Sequence, residues 1–313
     1  MITPWLSVLI PTYNGALYLS QTLDSLLQDG AQGIECIVID DGSTDETIEI
    51  IRRYEDRLYL RLLQPPHSGN WAENTNLALM QALAEHVCFL HQDDYWLPGR
   101  AIAIRNMISD NPSCVLYLNA SLFVDERSRP LGKWSCPLPP RPQAINSRLL
   151  LQRLVIQDFI AICAPVFKSK HAIAAGGLDN TLWYTADWDF WLKLAATGTA
   201  LYDARPLTAF RVHNDSQTVR RSTQSDGFRY QLECVLDQHL ARHPWLLDSV
   251  VKAARMSVEV NVALARLYHG GSANIPRLLM QLFRLGPRGC WLYFRDSQIH
   301  QRVLSRLRAG IGR

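Results

Sequence analysis

The sequence lacks the cysteine patterns of disulfide-rich secreted proteins and of structural zinc sites. Its seven cysteines include no Cys-x-x-Cys pair, and they stand at positions 36, 88, 114, 136, 163, 234 and 290. Three of them (Cys36, Cys88 and Cys114) lie inside apolar runs, where a free thiol packs as a small hydrophobic group. An odd number of cysteines without a pairing framework favours a reducing compartment.

Long hydrophobic runs are also missing. No stretch approaches the roughly 20 apolar residues that a membrane-spanning helix needs. The opening residues, MITPWLSVLIPTYNG, lack the charged start and the long apolar centre of a secretory signal. We therefore expect a cytoplasmic protein, and 313 residues suffice for one large domain or two modest ones.

A large net charge is absent, because the formal net charge is +3, but the charges are unevenly spread. Between Arg277 and Arg313 there are eight arginines and one acid, Asp296, interleaved with leucine and aromatic residues. Such a tail, residues 277–313, is typical of a segment that contacts an anionic membrane surface. A basic helix packed on the body of the protein is an equally good interpretation. We expect no nucleic-acid partner.

Short apolar runs alternate with helical patterns over the first part of the chain. The runs predicted as strands are residues 5–10, 34–40, 58–63 and 87–91. This alternation predicts an α/β fold with parallel strands and right-handed crossovers up to about residue 110. Beyond residue 222 the pattern is helical to the end. We therefore expect an α/β domain over residues 1–220 and a helical C-terminal extension over residues 221–313, which ends in the basic tail.

Two acidic pairs, Asp40-Asp41 and Asp93-Asp94, each end one of the apolar runs. In an open parallel sheet, ligands bind in the crevice beyond the carboxyl ends of the strands. Four carboxylates directed at one crevice repel each other unless a cation or hydrogen-bond donors compensate them. The pairs therefore predict a site for a polar ligand and a divalent metal.

Five segments resemble, in order and approximate spacing, those of the family 2 glycosyltransferases. They span residues 6 to about 220 and read SVLIPTYNGALYLSQTLDSLL, IVIDDGSTDET, FLHQDDYWLPG, GGLD followed by ADWDFWLKLA, and FRVHNDSQT. This family has the GT-A fold, so the resemblance implies a Rossmann-like, mostly parallel sheet flanked by helices. It also implies transfer of a sugar from a nucleotide sugar, usually a UDP-sugar, to an acceptor hydroxyl with inversion at the anomeric carbon.

The resemblance implies nucleotide-sugar binding by residues of several of these segments. They are Pro11, Thr12, Tyr13, Asn14, Asp40, Asp41, Asn76, Asp94 and Arg211. Tyr13 follows the first predicted strand, where its ring can lie flat against a base. Asp40 or Asp41 can accept from the imide N–H of uracil, which cytosine does not offer; the alternative is that Asp40 caps the turn and only Asp41 faces the ligand. Asn74 and Asn76 both fall near the position of the family's donor-contacting asparagine.

The metal is expected at the end of the fourth predicted strand. Asp93 matches the last acid of the family's Asp-x-Asp motif, and His91 replaces its first acid. If His91 is a ligand, Mn²⁺ is favoured over Mg²⁺, because imidazole suits Mg²⁺ poorly; otherwise Asp93 holds either metal together with water. Arg211 and His213 match an Arg-x-His segment, which places Arg211 at the diphosphate and His213 either in the metal shell or buried as a structural residue. Asp94 is expected to hold the loop or a sugar hydroxyl.

The helix predicted in ADWDFWLKLA supplies the catalytic base. An acceptor hydroxyl becomes a good nucleophile when a positioned carboxylate takes its proton. In the family a Glu-Asp pair opens this helix; here Ala186 replaces the Glu and Asp187 keeps the position of the base. Asp187 and Asp189 point in different directions on a helix, so both cannot fill this role. The prediction is Asp187.

The predicted function is therefore a metal-dependent, inverting glycosyltransferase. Its acceptor is expected to be a saccharide or a lipid-linked saccharide, in the synthesis of a cell-envelope or extracellular polysaccharide. Two other classes stay open. A sugar-nucleotide nucleotidyltransferase would share a similar sheet, although its GxG-type phosphate loop is missing near the N-terminus. A non-catalytic nucleotide-sugar-binding module is the other, because His91 and Ala186 both replace family acids.

Overall fold

The computed structural model describes residues 3–213 and 225–311. The predicted domain boundary at residue 220 and the residues of FRVHNDSQT after His213 lie outside the described residues. Within these ranges the chain forms one mixed sheet with helices on both faces, followed by five helices. This arrangement confirms the expected α/β architecture with C-terminal helices.

The sheet contains nine strands among the described residues. In chain order they are β1 (Leu6–Thr12), β2 (Ile34–Asp40), β3 (Tyr59–Leu63), β4 (His86–Phe89), β5 (Tyr95–Trp96), β6 (Leu116–Val124), β7 (Pro130–Trp134), β8 (Val166–Lys168) and β9 (Ala200–Arg211). Their spatial order is β3-β2-β1-β4-β8-β6-β9-β5, with β7 paired to β6. The strands β1 to β4 pair in parallel, as the alternation of strands and helices predicted.

The second half of the sheet is mixed rather than parallel. Only β6 and β9 pair in parallel there, whereas β8 is antiparallel to both of its neighbours, β4 and β6. The short strands β5 and β7 also pair antiparallel, with β9 and β6 respectively. A short loop joins β6 to β7, and such a loop permits only antiparallel pairing, because parallel strands need a long crossover connection.

Seven helices accompany the sheet. They are α1 (Ala16–Gln28), α2 (Thr47–Arg52), α3 (Trp71–Met80), α4 (Arg100–Asp110), α5 (Ser147–Leu154), α6 (Ser169–Ala174) and α7 (Ala186–Ala195). Five more follow it: α8 (Ser225–Arg242), α9 (Asp248–Tyr268), α10 (Ile275–Arg284), α11 (Gly286–Ser297) and α12 (Ile299–Ile311). No helix of the described ranges is long and apolar enough to cross a membrane.

Hydrophobic side chains from the helices cover both faces of the sheet. On one face, Leu19, Leu23 and Leu26 of α1 are fully buried against the strands, at the spacing of a single helical stripe. Because both faces are covered, every residue of β2 is buried, which explains why residues 36–39 are all apolar rather than alternating. The buried Glu35 of this strand is paired with Arg61 at 3.3 Å. The carboxyl ends of β1, β2 and β4 are thereby held rigidly at one edge of the sheet.

The C-terminal helices share the core of the body. Their buried side chains belong to the same hydrophobic cluster as Trp191 of α7. Asp189 and His239, each about 1% exposed, form a contact of 2.9 Å that joins α7 to α8. The last helix, α12, lies along β7, where the Gln301 side chain accepts a hydrogen bond from the backbone N–H of Ser135 at 2.8 Å. The helical extension is thus packed firmly on the α/β body.

Candidate active site

A cavity of about 770 Å³ opens at the carboxyl ends of β1, β2 and β4. Small-molecule and cofactor sites typically enclose about 300–1,000 Å³. The cavity brings together Asp41, the pair Asp93-Asp94 and Asp187, which come from three separate segments of the sequence. The position agrees with the rule that ligands of such sheets bind beyond the carboxyl ends of the strands.

The first acidic pair is divided between the turn and the cavity. Asp40 is about 1% exposed, and its carboxylate accepts hydrogen bonds from the hydroxyls of Thr12 at 2.9 Å and Ser43 at 2.5 Å. It also accepts from the backbone N–H groups of Gly42 and Ser43, while Gly42 holds a positive φ of 82° that the tight turn requires. Asp40 therefore closes the turn, and of the two residues only Asp41 lines the cavity.

Asp41 is held as an ionised acceptor. Its carboxylate accepts from the backbone N–H groups of Ser68 at 2.8 Å and Gly69 at 2.9 Å. Burial acts to raise the pKa of Asp41, but hydrogen bonds from Ser68, Asn74 and Gly69 outweigh burial and keep the pKa below its ordinary value. An ionised carboxylate at this position can accept from an N–H of a bound base.

A flat aromatic surface lies beside Asp41. Tyr13 is 43% exposed, and its ring stacks on the ring of His67 with centroids 5.3 Å apart and an angle of 25° between the planes. His67 was given no role from the sequence. The signal that could have identified it is its place in the loop after β3, because β3 is parallel to β2 and its carboxyl end opens onto the same edge.

The remaining predicted residues of the donor region separate into two groups. Pro11, Thr12 and Asn14 line the cavity, and Asn14 also accepts from the backbone N–H of Thr44 at 2.8 Å. Asn76 does not line it, because its side chain bonds both the N–H and the carbonyl of Leu178. Of the two asparagines that the sequence left open, the fold brings Asn74 to the cavity.

The two carboxyls of the second acidic pair, Asp93 and Asp94, have pKa values that are shifted in opposite directions. Asp93 lies 2.8 Å from Nε2 of His213. Burial acts to raise the pKa of Asp93, but the hydrogen bond from His213 and the nearby ring of His91 keep it below its ordinary value. Burial and the charge of Asp93 raise the pKa of Asp94 well above its ordinary value, although Asp94 accepts from the backbone N–H of Arg211 at 3.0 Å. Asp94 supports the loop, and Asp93 carries the negative charge.

The residues around Asp93 fit a shared divalent cation better than a metal held by protein alone. The described residues contain no cluster of three or more His, Cys, Asp or Glu side chains that could hold a metal ion. Among them, however, Nε2 of His91 is buried without a hydrogen-bond partner, and burial lowers the pKa of this imidazole, which favours its neutral form. Asp93 and neutral imidazoles can supply a few ligands, while diphosphate oxygens and water supply the others, as is usual for Mg²⁺ in nucleotide sites.

Arg211 is used by the protein itself. Its side chain donates to the carbonyl oxygens of Asp93 and Asp125, each at 2.9 Å, and to Oε1 of Gln21 at 2.6 Å. Its guanidinium also lies 4.4 Å from the centre of the Tyr18 ring. Arg211 borders the cavity and is only about 2% exposed, so the geometry gives it the role of supporting the loop of Asp93.

The start of α7 places Asp187 in the cavity and Asp189 outside it. Burial raises the pKa of Asp187 to about 6, although its carboxylate accepts from the backbone N–H of Trp188 at 2.8 Å. Asp189 points the other way, to His239 and to Nζ of Lys193 at 2.6 Å. Of these two carboxylates, only Asp187 lines the cavity, and its pKa of about 6 suits proton transfer near neutral pH.

Two charged residues of the cavity, Asp158 and Arg302, were missed by the sequence analysis. Burial and the charge of Asp187 raise the pKa of Asp158 well above its ordinary value, although Asp158 accepts from the backbone N–H of Ile160 at 3.0 Å. Arg302 comes from α12 and lies 5.8 Å from the centre of the Trp134 ring, and its Nη1 is buried without a hydrogen-bond partner among the described residues. Its positive charge favours ionisation of both Asp158 and Asp187. Neither residue belongs to a recognisable motif.

Curated relatives of the chain are glycosyltransferases. An uncharacterised glycosyltransferase of Rickettsia typhi is 29% identical over 220 residues, which cover 69% of this chain and 66% of the relative. The poly(ribitol-phosphate) beta-N-acetylglucosaminyltransferase TarS of Staphylococcus aureus is 39% identical over 147 residues, which cover 46% of this chain and 25% of TarS. The chain thus matches less than two thirds of the length of these relatives.

Solved structures with the same fold include nucleotide-sugar complexes. TarS residues 1–349 in complex with UDP-GlcNAc superpose with a TM-score of 0.59 and 18% identity, covering 97% of this chain and 92% of that one. The mannosyltransferase PcManGT of Pyrobaculum calidifontis, in complex with GDP-Man and Mn²⁺, gives a TM-score of 0.54 at 18% identity, covering 99% of this chain and 88% of that one. These likenesses confirm the GT-A fold. The model of glycosyl transferase family 2 matches residues 7–171, more than half of the chain, and the protein belongs to this family.

Proposed function

We propose that the protein transfers a sugar from a UDP-sugar to an acceptor hydroxyl with inversion at the anomeric carbon. The observation that carries the proposal is that three separated acids, Asp41, Asp93 and Asp187, surround one cavity at the carboxyl edge of the sheet. Each is in the state that its role needs, because Asp41 and Asp93 have lowered pKa values and Asp187 has a pKa of about 6.

The nucleoside end of the donor binds at Asp41. The carboxylate accepts from the imide N–H of uracil, and the exposed ring of Tyr13 supplies an aromatic face for the base. The turn that Asp40 closes keeps the Asp41 backbone in place. Cytosine lacks an N–H at the required ring position, so a cytidine nucleotide should bind poorly.

The diphosphate end binds at Asp93. Asp93 and His213 would hold a divalent cation there, together with the unpaired Nε2 of His91 if the ion is Mn²⁺. Such an ion, when bound, neutralises the charge that develops on the departing diphosphate. The buried contacts of Arg211 keep the backbone carbonyl of Asp93 in place, which orients the carboxylate toward the cavity.

Asp187 acts as the general base in a single displacement. It takes the proton of the acceptor hydroxyl while that oxygen forms its bond to the anomeric carbon and the bond to the diphosphate breaks. The transition state has oxocarbenium character, and the products are the glycoside and UDP. Asp158 and Arg302 adjoin this base, and we assign to Arg302 the role of keeping Asp187 ionised.

The acceptor is a saccharide or a lipid-linked saccharide, and the process is synthesis of a cell-envelope or extracellular polysaccharide. TarS, by its name, acts on poly(ribitol phosphate), and this polymeric acceptor supports a role in polymer synthesis. The seven cysteines are all unpaired, which supports a reducing compartment and hence the cytoplasmic side of the membrane.

The test combines donor binding with analysis of products. Thermal unfolding is measured with UDP-, GDP- and dTDP-sugars, each with and without Mn²⁺, because a true donor stabilises in proportion to the logarithm of its concentration over its dissociation constant. Asp41→Asn should lose the stabilisation by the UDP-sugar, whereas Asp24→Asn, which changes an acid with a 44% exposed side chain outside the cavity, should keep it.

Turnover then separates the alternatives. Release of UDP from UDP-GlcNAc supports transfer. Release of pyrophosphate from a sugar phosphate and UTP would instead assign a nucleotidyltransferase. Stabilisation by a nucleotide sugar without any turnover, with a panel of saccharide acceptors and with water alone, would leave only a binding module.

A further inference from the structure

The helix α10 presents an apolar surface to solvent. None of its residues, all of which the structure describes, is buried. Ile275, Leu279, Met280 and Phe283 are 47%, 60%, 49% and 85% exposed. At 3.6 residues per turn these four side chains occupy an arc about 140° wide.

This outer arc adjoins the side of α10 that packs on the protein. Leu278 and Leu282 are partly buried against the main hydrophobic core, and they lie about 60° and 20° from Ile275 around the helix axis, so one edge of the apolar stripe anchors the helix. The rest of the stripe stays exposed, and contiguous apolar surface of this kind marks an interaction site. The next helix, α11, also exposes large apolar side chains, Trp291 and Phe294, which are 59% and 50% exposed.

The exposed charges on α10 and α11 beside this surface are all positive, and Arg277 is also near enough to Glu259 of α9 to help lower the pKa of that carboxyl. Arg277 and Arg284 of α10 and Arg288 of α11 are exposed, and residues 275–295 contain no acid. We call the exposed surface of α10 and α11 the outer face; its members are Ile275, Arg277, Leu279, Met280, Phe283, Arg284, Arg288, Trp291 and Phe294. Aliphatic and aromatic side chains bordered by arginines are the pattern of helices that lie in the interface of an anionic bilayer.

A second copy of this chain fits the outer face less well. Two copies related by a twofold axis would place the same surface against itself, and arginines would then meet arginines, because residues 275–295 contain no acid. Juxtaposed like charges disfavour such a contact. A lipid surface with anionic head groups offers both an apolar layer and the missing negative charge.

We propose that the outer face of α10 and α11 binds the surface of an anionic lipid bilayer, with the axis of α10 parallel to the membrane plane. The rest of the basic tail has a different role. Arg308 of α12 donates to the carbonyl oxygen of Leu131 at 2.7 Å, and Arg302 of the same helix lines the cavity. The two interpretations of the tail therefore apply to different parts of it: α10 and α11 face the lipid, and α12 packs on the body.

The test is co-sedimentation of the full chain with vesicles of phosphatidylcholine, with and without phosphatidylglycerol. The wild-type protein should pellet with the anionic vesicles and lose binding as salt is raised, because salt screens the arginines. Arg277→Gln with Arg284→Gln should weaken binding roughly thirtyfold at low salt. Leu279→Ser with Phe283→Ser should weaken it at least about tenfold, because two apolar side chains lose their burial in the bilayer.

A matched control changes exposed apolar residues elsewhere. Met80→Ser with Ile102→Ser alters side chains that are 64% and 68% exposed on α3 and α4, and it should leave vesicle binding unchanged. The proposal is overturned if the wild-type protein stays in the supernatant with anionic vesicles at low salt. It is also overturned if the control variant loses as much vesicle binding as Leu279→Ser with Phe283→Ser. A third outcome against the proposal is a wild-type protein that does not bind vesicles but is a dimer in sedimentation velocity, and that becomes a monomer in Leu279→Ser with Phe283→Ser. None of these readouts depends on catalysis, so they test the surface independently of the proposed reaction.

Discussion

Replacing Asp187 by Asn should slow catalysis strongly and stabilise the fold at the same time. Asp187 is partly buried at the start of α7, and its partial removal from water raises its pKa from 3.8 to about 6. A carboxyl that is held at this pKa resists ionisation in the folded protein by about 3 kcal/mol. Asn keeps an oxygen that can accept from the backbone N–H of Trp188 and carries no charge. The variant should therefore gain up to about 3 kcal/mol of unfolding free energy at neutral pH.

The pH dependence has a definite sign. Because the folded protein binds this proton more tightly than the unfolded chain, the contribution of Asp187 to stability is complete below pH 3.8 and is lost as the pH rises through about 6. The gain from Asp187→Asn should thus be small at pH 4 and reach its full value above about pH 7. Activity of the wild-type enzyme should rise over the same range, because the base acts in its ionised form.

The assay pairs urea unfolding with release of UDP from a UDP-sugar. Loss of a general base should lower the turnover rate by roughly 10²- to 10⁴-fold. Asp110→Asn, which changes an exposed carboxyl at the end of α4, should leave both quantities unchanged. If Asp187→Asn lowers stability along with activity, the residue is structural and the reasoning fails; if activity persists, another group is the base.

Three further outcomes follow from the geometry. Arg302→Gln should move the pH midpoint of UDP release above about 6, because it removes a positive charge that favours ionised Asp187. The control Arg308→Gln, on the same helix, should leave the midpoint in place. An unshifted midpoint in Arg302→Gln would exclude the role of Arg302 in keeping Asp187 ionised. Asp93→Asn should raise the Mn²⁺ concentration needed for half-maximal UDP release, and an unchanged metal titration would move the cation elsewhere. Asp189→Asn should cost about 3 kcal/mol of unfolding free energy, measured in urea, because it removes the carboxylate that pairs with Lys193 and His239. The KM for the donor should be unchanged. A change in KM without a loss of stability would contradict the structural role of Asp189.

Most of the fold was predictable because its signals are local. The apolar runs and the turns after them identified β1 to β4 and the edge where ligands bind. The mixed pairing of the second half was not predictable, because β5 has two residues and β8 has three, which is too short for a periodic pattern. Their positions depend on contacts with β9 and β4, which the local sequence does not encode.

The same distinction between local sequence signals and long-range contacts applies to the candidate site. Sequence alone determined which segments carry the acids, and the resemblance to the Glu-Asp pair of the family selected Asp187. Tertiary structure decided how Asp40 and Asp41 divide their roles, because neighbouring side chains after a strand point in different directions and their partners come from other loops.

Tertiary structure also completed the cavity with Arg302. Arg302 lies more than a hundred residues after Asp187, and it reaches the cavity because α12 packs along β7. Local sequence patterns determine the order of the strands and helices and the types of residue that they carry. The face that each side chain presents depends on long-range packing, because a shift of one residue along a strand or helix changes its neighbours completely.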